Sequence, residues 1–310
     1  MTTQVNPSWL DPEDHTAFLN RAFPGQWDLQ TYDWYIARPF NGRRGDLLVQ
    51  AQGSRLCAAL AMIPRQVMVG DGPAIDVAIL AAAGTLPEER GRGRYAQLLQ
   101  TALERARLLG YVALLGFVTA ANASGRGLLR MGAHAIRSFY IASAERAARP
   151  TSPRARRETL LTLRSAARAL APPHAHRPVG ASAPEARFHY EHETDWRRQF
   201  IDRPDTVRAR RLCHDSVALI ESVRGTDRLQ YLACPDGKRT ASVVALAAAS
   251  AAARRRFFMY TLDPCAAAAA RRIGLRVRDG YLLLQPTGYG GQHWEALAGA
   301  RWQVQSGDRL

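Results

Sequence analysis

Glu89-Arg90-Gly91-Arg92-Gly93-Arg94-Tyr95 stands between an apolar run and an amphipathic helix, and that order leaves the chain few ways to fold. The run from Ile75 through Leu80 and Ala83 to Thr85 has the unbroken apolar character of a buried strand. Beyond the glycines, Leu98, Leu99, Ala102, Leu103 and Ala106 recur at the spacing of one helix face, and Gly110 stands where a C-cap glycine belongs. A strand, a glycine-rich turn and a helix start form an anion cradle, because free amide N–H groups and the helix dipole both favour negative charge. Glycine admits a diphosphate close to the backbone, and Arg90, Arg92 and Arg94 add charge-assisted hydrogen bonds. The spacing is neither G-x-x-x-x-G-K-[ST] nor the dinucleotide fingerprint, whose third glycine is missing.

The next apolar run, Tyr111 to Val118, reads as a second buried strand, followed by Asn122 and a short helix ending Leu129-Arg130-Met131-Gly132-Ala133. Taken together, these features resemble the acyl-CoA-binding core of the GNAT superfamily, the Gcn5-related N-acetyltransferases, over about Asp46 to Ile141. Arg90 and Gly93 match the family's [QR]-x-x-G-x-[GA] loop, and Arg130 to Ala133 is similar to its closing turn. Tyr95 departs, standing where a small residue is usual. The resemblance implies two central parallel strands that splay apart. Acetyl-CoA or another acyl-CoA would be held by Gly84, Thr85 and Leu86 along the pantetheine arm. Arg90, Gly91, Arg92, Gly93, Arg94, Tyr95 and Asn122 would complete the set.

The chain also echoes itself. Arg130-Met131-Gly132-Ala133 before Phe139-Tyr140-Ile141 is answered by Arg272-Ile273-Gly274-Leu275 before Tyr281-Leu282-Leu283, and each follows a strand-like run. Asp33-Trp34 with Arg38-Pro39 is answered by Asp195-Trp196 with Arg203-Pro204. The expected architecture is an α/β (α+β) fold of two GNAT-like units. Each is a mixed, largely antiparallel sheet with flanking helices and a splayed parallel pair. Residues 1–148 form the acyl-CoA-binding catalytic unit, 149–187 a Pro/Arg/Ala-rich linker with a helix near 158–170, and 188–310 a degenerate unit. In the second unit Pro235-Asp236-Gly237-Lys238-Arg239-Thr240 offers one glycine where the first has two. Near the N-terminus, Pro12 to Phe23 reads as a helix capped by Asp11, then strands over 47–51, 56–63 and 66–69.

The net charge of +15 would steer a polyanion toward the chain: CoA, an acidic carrier protein or tRNA. Lys238 is the only lysine among 42 basic residues, which points to coding bias as well as to partners. No sequence-specific nucleic-acid motif, membrane span or metal-ligand spacing is present. The four scattered cysteines suit a reduced, cytoplasmic protein. The tail from Trp302 to Gly307-Asp308 is similar to the ending of two-unit GNAT-like proteins.

Acyl transfer to an amine requires removal of the amine proton, stabilisation of the oxyanion and protonation of the leaving thiolate. Asp76 is the only carboxylate on the strand before the loop and is the candidate base. Leu128 occupies the position of the family's tyrosine acid, which leaves Tyr140 as the candidate acid. The expected reaction moves an acyl group, acetyl above all, to a primary amine of a small molecule such as an amino sugar or amino-acid-derived metabolite. A carrier-protein donor, an aminoacyl-tRNA donor and a non-catalytic CoA-binding module are the alternatives.

Overall fold

The computed structural model describes residues 2–23, 27–143, 183–212, 215–235 and 238–309. The expected linker helix near 158–170, together with His174, His176, Cys213, Asp236 and Gly237, lies outside the described residues.

The first half runs β1 (Gln4–Val5), α1 (Pro12–Ala22), α2 (Leu29–Tyr32) continuing into a π turn (Asp33–Ala37), β2 (Asp46–Gln52), β3 (Arg55–Val69), β4 (Ile75–Thr85), α3 (Arg94–Leu108), β5 (Ala113–Thr119), α4 (Ala123–Arg130) and β6 (His134–Ala142). Helix α1 starts as its sequence dictates. Asp11 Oδ1 accepts the Asp14 N–H at 2.7 Å, and Pro12 takes the first turn, where no N–H is needed. Strand β3 is a single element where the sequence suggested two, because Pro64 does not break it. On one edge of β3 the pairing with β2 ends at Met62, and a different strand takes over at Gln66. Pro64 falls in the gap between them, where a residue without an N–H is tolerated.

The second half runs β7 (Glu185–His189), α5 (Glu193–Phe200), β8 (Val207–Arg211), β9 (Val217–Val223), β10 (Thr226–Ala233), α6 (Arg239–Ala252), β11 (Arg256–Thr261), α7 (Pro264–Arg272), β12 (Arg276–Pro286), α8 (Gly291–Gly299), β13 (Arg301–Gln303) and a closing turn at Ser306–Arg309. Strand β7 is the one that pairs with β3 from Gln66 onward.

The strands form one 13-stranded sheet in the order β1-β2-β3-β4-β5-β12-β6-β11-β10-β9-β8, with β7 joined to β3 and β13 to β7. The order is symmetric about the β12–β6 pair. β2 to β6 with α3 and α4 is repeated by β8 to β12 with α6 and α7. The architecture is mixed and largely antiparallel, with parallel pairs at β4–β5, β10–β11 and β7–β13. The halves share this sheet instead of keeping one each. Strand β12 stands between β5 and β6, antiparallel to both, and β6 passes on to β11. Each half therefore closes on the last strand of the other.

Alternation along β12 sorts its two faces. Leu283 joins the core under α3 and α4, and Val277 packs on the core under α6 and α7. Leu282 and Leu284 turn the other way, onto Val77, Ile79, Phe188 and Trp302. All three leucines are fully buried, so truncating Leu283 to alanine would cost about 2–5 kcal/mol.

A second joint lies at α5. The Trp34 Nε1–H donates to the carbonyls of Arg198 and Asp202 at 3.0 and 2.9 Å. The Arg38 and Arg203 guanidiniums lie 3.9 and 4.1 Å from the Trp34 ring. The two arginines that echo each other in the sequence thus meet on one tryptophan. Arg203 is also paired with Glu221 at 2.8 Å, both side chains being buried. Burial, then the charges of Arg65 and Arg203, pushes the Arg38 guanidinium down to about 9.

Candidate active site: a splayed strand pair and its anion cradle

Strands β4 and β5 pair only from Val77–Ile79 to Ala113–Leu115 and then separate. The wedge opens where β4 bulges. Ala82 and Ala83 lie between the β3-paired residues Ala81 and Gly84, and Ala82 adopts a left-handed φ of +48°. A non-glycine residue held there costs about 1–2 kcal/mol, strain of the kind that clusters at functional sites. The bulge turns the β4 backbone relative to the wedge. Gly84 is required for packing: a Cβ would lie 3.0 Å from the ring of Phe23, just past α1.

At the wedge mouth, Gly91 and Gly93 take φ of +79° and +73°, with nothing within 4 Å of a notional Cβ at either. Backbone conformation, not crowding, demands glycine at both. Gly93 caps α3 without a side-chain hydrogen bond, and Gly91, Arg92 and Gly93 donate no backbone hydrogen bond among the described residues. These amides and the first turn of α3 have the arrangement that favours an anion at a helix start. The buried Glu89 carboxylate organises it by receiving Arg94 Nε at 2.9 Å and Arg92 Nη1 at 3.3 Å. The Arg94 hydrogen bond holds this carboxyl below its usual range.

Residues 11–129 match the family model of the acetyltransferase (GNAT) domain. Those residues are a GNAT acetyltransferase domain within the longer chain. Three solved structures are similar over most of the chain. A GCN5-related N-acetyltransferase from Kribbella flavida is 15% identical, with 91% of this chain and 71% of that one covered and a TM-score of 0.47. A conserved protein of unknown function from Enterococcus faecalis V583, described as a probable N-acyltransferase, is 10% identical, with 92% and 72% covered and a TM-score of 0.51. Eis1 from Mycobacterium abscessus is 15% identical, with 93% and 74% covered and a TM-score of 0.49. No curated protein sequence matches.

Within this GNAT fold the expected residues divide. Gly84 and Thr85 end β4, Arg90 to Tyr95 make the turn into α3, and Asn122 stands between β5 and α4. Leu86 does not contribute its backbone: its N–H donates to the Cys57 carbonyl at 3.0 Å and its carbonyl accepts from Glu89 at 2.9 Å. Arg94 is turned inward to Glu89, and Arg90 reaches the carbonyls of Thr85 and Ala22 at 3.3 and 3.4 Å. The arginines build the turn, and backbone amides are what it presents. Tyr95 leaves the cradle clear, because its ring packs on α4 where Gly127 has no side chain; a Cβ there would lie 3.1 Å from the ring. Burial pushes the Tyr95 hydroxyl up to about 12. Asn122 caps α4, its Oδ1 receiving the Ser124 N–H at 3.0 Å and hydroxyl at 2.8 Å.

The two candidate catalytic groups are placed differently. Asp76 lies at the closed end of the parallel pair, with Val77–Ile79 between it and the opening. It is paired with Arg43 Nη1 at 2.6 Å and accepts from Gln66 Nε2 at 3.1 Å. Sequence reasoning assigned it to the correct strand but to the wrong end, since a strand of eleven residues spans about 35 Å. Tyr140 lies on β6, beyond β12, but its ring leans back over Gly280: a Cβ there would lie 2.6 Å from the ring and 2.5 Å from the Val118 carbonyl, so the ring reaches the β5 wall of the wedge. Burial raises its hydroxyl pKa, opposed by Arg309.

The second half contains the same wedge, filled. Strands β10 and β11 pair only from Thr226–Arg228 to Arg256–Phe258. Beyond that point the Gln305 side chain accepts the Leu232 N–H at 3.1 Å and donates to its carbonyl at 3.4 Å. Ser306 Oγ accepts the Tyr260 N–H at 3.0 Å. Gly307 packs so tightly that a Cβ would lie 2.8 Å from Phe200. Asp308 accepts from the Tyr190 hydroxyl at 2.6 Å and the Gln305 N–H at 2.6 Å, and burial raises its carboxyl to about 6. The chain's own tail occupies the position that a bound ligand arm would take.

Proposed function

We propose that the protein transfers an acyl group, acetyl in the simplest case, from acyl-CoA to a primary amine of a small molecule. The supporting observation is the open β4–β5 wedge leading to an amide-lined turn at Gly91–Gly93. A thioester arm lying in the wedge adds hydrogen bonds to strand edges otherwise unpaired, and its diphosphate meets the cradle. The amine attacks the thioester carbonyl, the tetrahedral oxyanion collapses with cleavage of the C–S bond, and the proton lost by the amine nitrogen balances the one taken up by the sulfur, giving an amide and free CoA thiol. The second half, its wedge already filled, serves as a degenerate partner that completes the sheet and shapes the acceptor side. A cytoplasmic setting fits the free cysteines Cys57, Cys234 and Cys265. Among the described residues no helix is long and apolar enough to cross a membrane.

Titration of the full chain with acetyl-CoA, followed by thiol release in the presence of an amine panel, tests the reading. Saturable binding with amine-dependent release of free CoA is expected. Binding of an acyl-carrier protein or aminoacyl-tRNA, with none of CoA, would transfer the role to another donor.

A further inference from the structure

A cavity of about 570 Å³ opens on the sheet face opposite α3 and α6, spanning β5, β12, β6, β11 and β10. Among the described residues lining it are five arginines, Arg228, Arg256, Arg276, Arg278 and Arg309, and no aspartate or glutamate. They come from β10, β11, β12 and the closing turn, so the chain converges on this space from four elements.

Strand alternation explains the charge imbalance. Arg276 and Arg278 share one face of β12, whereas Asp279 points to the other, where Arg137 and Arg271 meet it at 3.3 and 3.2 Å. Asp227 is likewise turned away from Arg228 and pairs with Arg255. Strand geometry sends these carboxylates to the face opposite Arg228 and Arg278. Arg228 has Glu221 at 3.9 Å, but that carboxylate already holds Arg203.

The cavity is built around a fixed cation. The Arg309 guanidinium lies 5.4, 5.3 and 5.1 Å from the ring centroids of Tyr140, Phe258 and Tyr260, and its Nε donates to the Ser306 carbonyl at 3.1 Å. Tyr140 is held in turn over Gly280, where a Cβ would lie 2.6 Å from its ring. Thr119, the last residue of β5, lies on the cavity wall, and β5 is also one wall of the open wedge. A ligand in the cavity therefore extends toward the wedge.

We propose that this arginine-lined cavity binds an oxyanion, carboxylate or phosphate, carried by the acyl acceptor, so that the acceptor is an anionic small-molecule amine. The volume suits a metabolite. Guanidinium forks recognise both oxyanions, and a caged arginine loses little freedom on binding. That the anion belongs to the acceptor rests on the transferase reading above; anion binding itself does not.

Calorimetric titration of the full chain with two pairs of amines tests this: glucosamine 6-phosphate against glucosamine, and glutamate against glutamine. At least one anionic member should bind about tenfold or more tighter than its neutral-headed partner, as expected for a hydrogen bond to a charged group. The pair that responds separates phosphate from carboxylate. The advantage should weaken with added salt and vanish in the Arg256→Gln, Arg278→Gln double variant, whose acetyl-CoA affinity stays unchanged. In turnover, that variant should raise the acceptor KM with little change in kcat. Equal binding within both pairs, no binding of any of the four, or an advantage that survives the double variant would overturn the site. A fall in acetyl-CoA affinity would assign the cavity to the phosphates of the donor. Binding is read without any donor, so an anionic amine that binds here and is never acylated would remove the acceptor assignment and leave the anion site. Acylation of neutral amines without anionic preference would do the reverse.

Discussion

The two wedges of this molecule have the same topology and opposite contents. Between β4 and β5 the strands part at a bulge, two left-handed glycines lead into α3, and backbone amides of that turn donate to no backbone carbonyl among the described residues. Between β10 and β11 the strands part as well, but Gln305 and Ser306 take up backbone groups on both sides. There α6 begins after Lys238, whose φ of −96° and ψ of −7° are helical and whose side chain caps nothing. The first wedge has instead a left-handed glycine cap at Gly93. A splayed pair is thus a scaffold, and what fills it decides whether it binds.

The comparison breaks first if the halves are separable. Arg203→Ala removes the partner of buried Glu221 and one face of the Trp34 stack. A loss of about 3–5 kcal/mol is expected, with a single cooperative urea transition read by both fluorescence and circular dichroism. Two transitions would show that the shared sheet does not couple the halves.

Gly93→Asp should weaken acetyl-CoA binding about 100-fold or more, by placing a carboxylate beside the diphosphate. Gly93→Ala carries the same left-handed φ without the charge and should lose about 1–2 kcal/mol of stability. Titration of the wild type should give one CoA per chain. Two would mean that the tail leaves the second wedge.

Acid acts on the first half through His15. Its ring packs on Phe18 and Tyr32, and neither nitrogen has a hydrogen-bond partner among the described residues. Burial lowers its pKa from 6.5 to about 4. Between those values the unfolded chain binds the extra proton, so stability is intact above pH 6.5 and falls by about 3 kcal/mol as pH drops toward 4. His15→Phe should flatten that part of the pH–stability profile. An unchanged profile would mean that the ring accepts a proton in place.

Gln305→Ala strips both hydrogen bonds from Leu232 and should cost about 1–3 kcal/mol in thermal unfolding, without creating a second CoA site. The smallest effect is expected of Asp76→Asn. A general base is worth about 10²–10⁴-fold, so turnover within about threefold of wild type would confirm that the ion-paired Asp76 stands outside the chemistry. A loss of two orders of magnitude would return it to the mechanism.

Much of the first wedge was legible in sequence because it is local. The apolar run of 75–85, the glycines at 91 and 93 and the helix periodicity beyond them lie within one continuous segment, where short-range rules apply. The echoed segments at Arg130–Ala133 and Arg272–Leu275 likewise foretold a repeated order of elements. Asp76 was misplaced because chain proximity to the loop says nothing about which end of a long strand opens. Nothing local reveals that a strand from residues 276–286 would come between β5 and β6, or that its Gly280 would let the Tyr140 ring reach β5.

What the sequence determined by itself was the strand–turn–helix unit, its family resemblance and the repeat. These are written in the spacing of neighbours, and backbone stereochemistry reads them without help from the rest of the chain. Only the tertiary structure decided that each half closes on the other's last strand, that the tail fills the second wedge and that five arginines from four elements face one cavity. Those outcomes depend on contacts between residues more than 100 positions apart, such as Phe258 with Ala142 and Leu282 with Phe117. Each depends on which surfaces remain to be buried after the local elements have formed, and no local pattern encodes that.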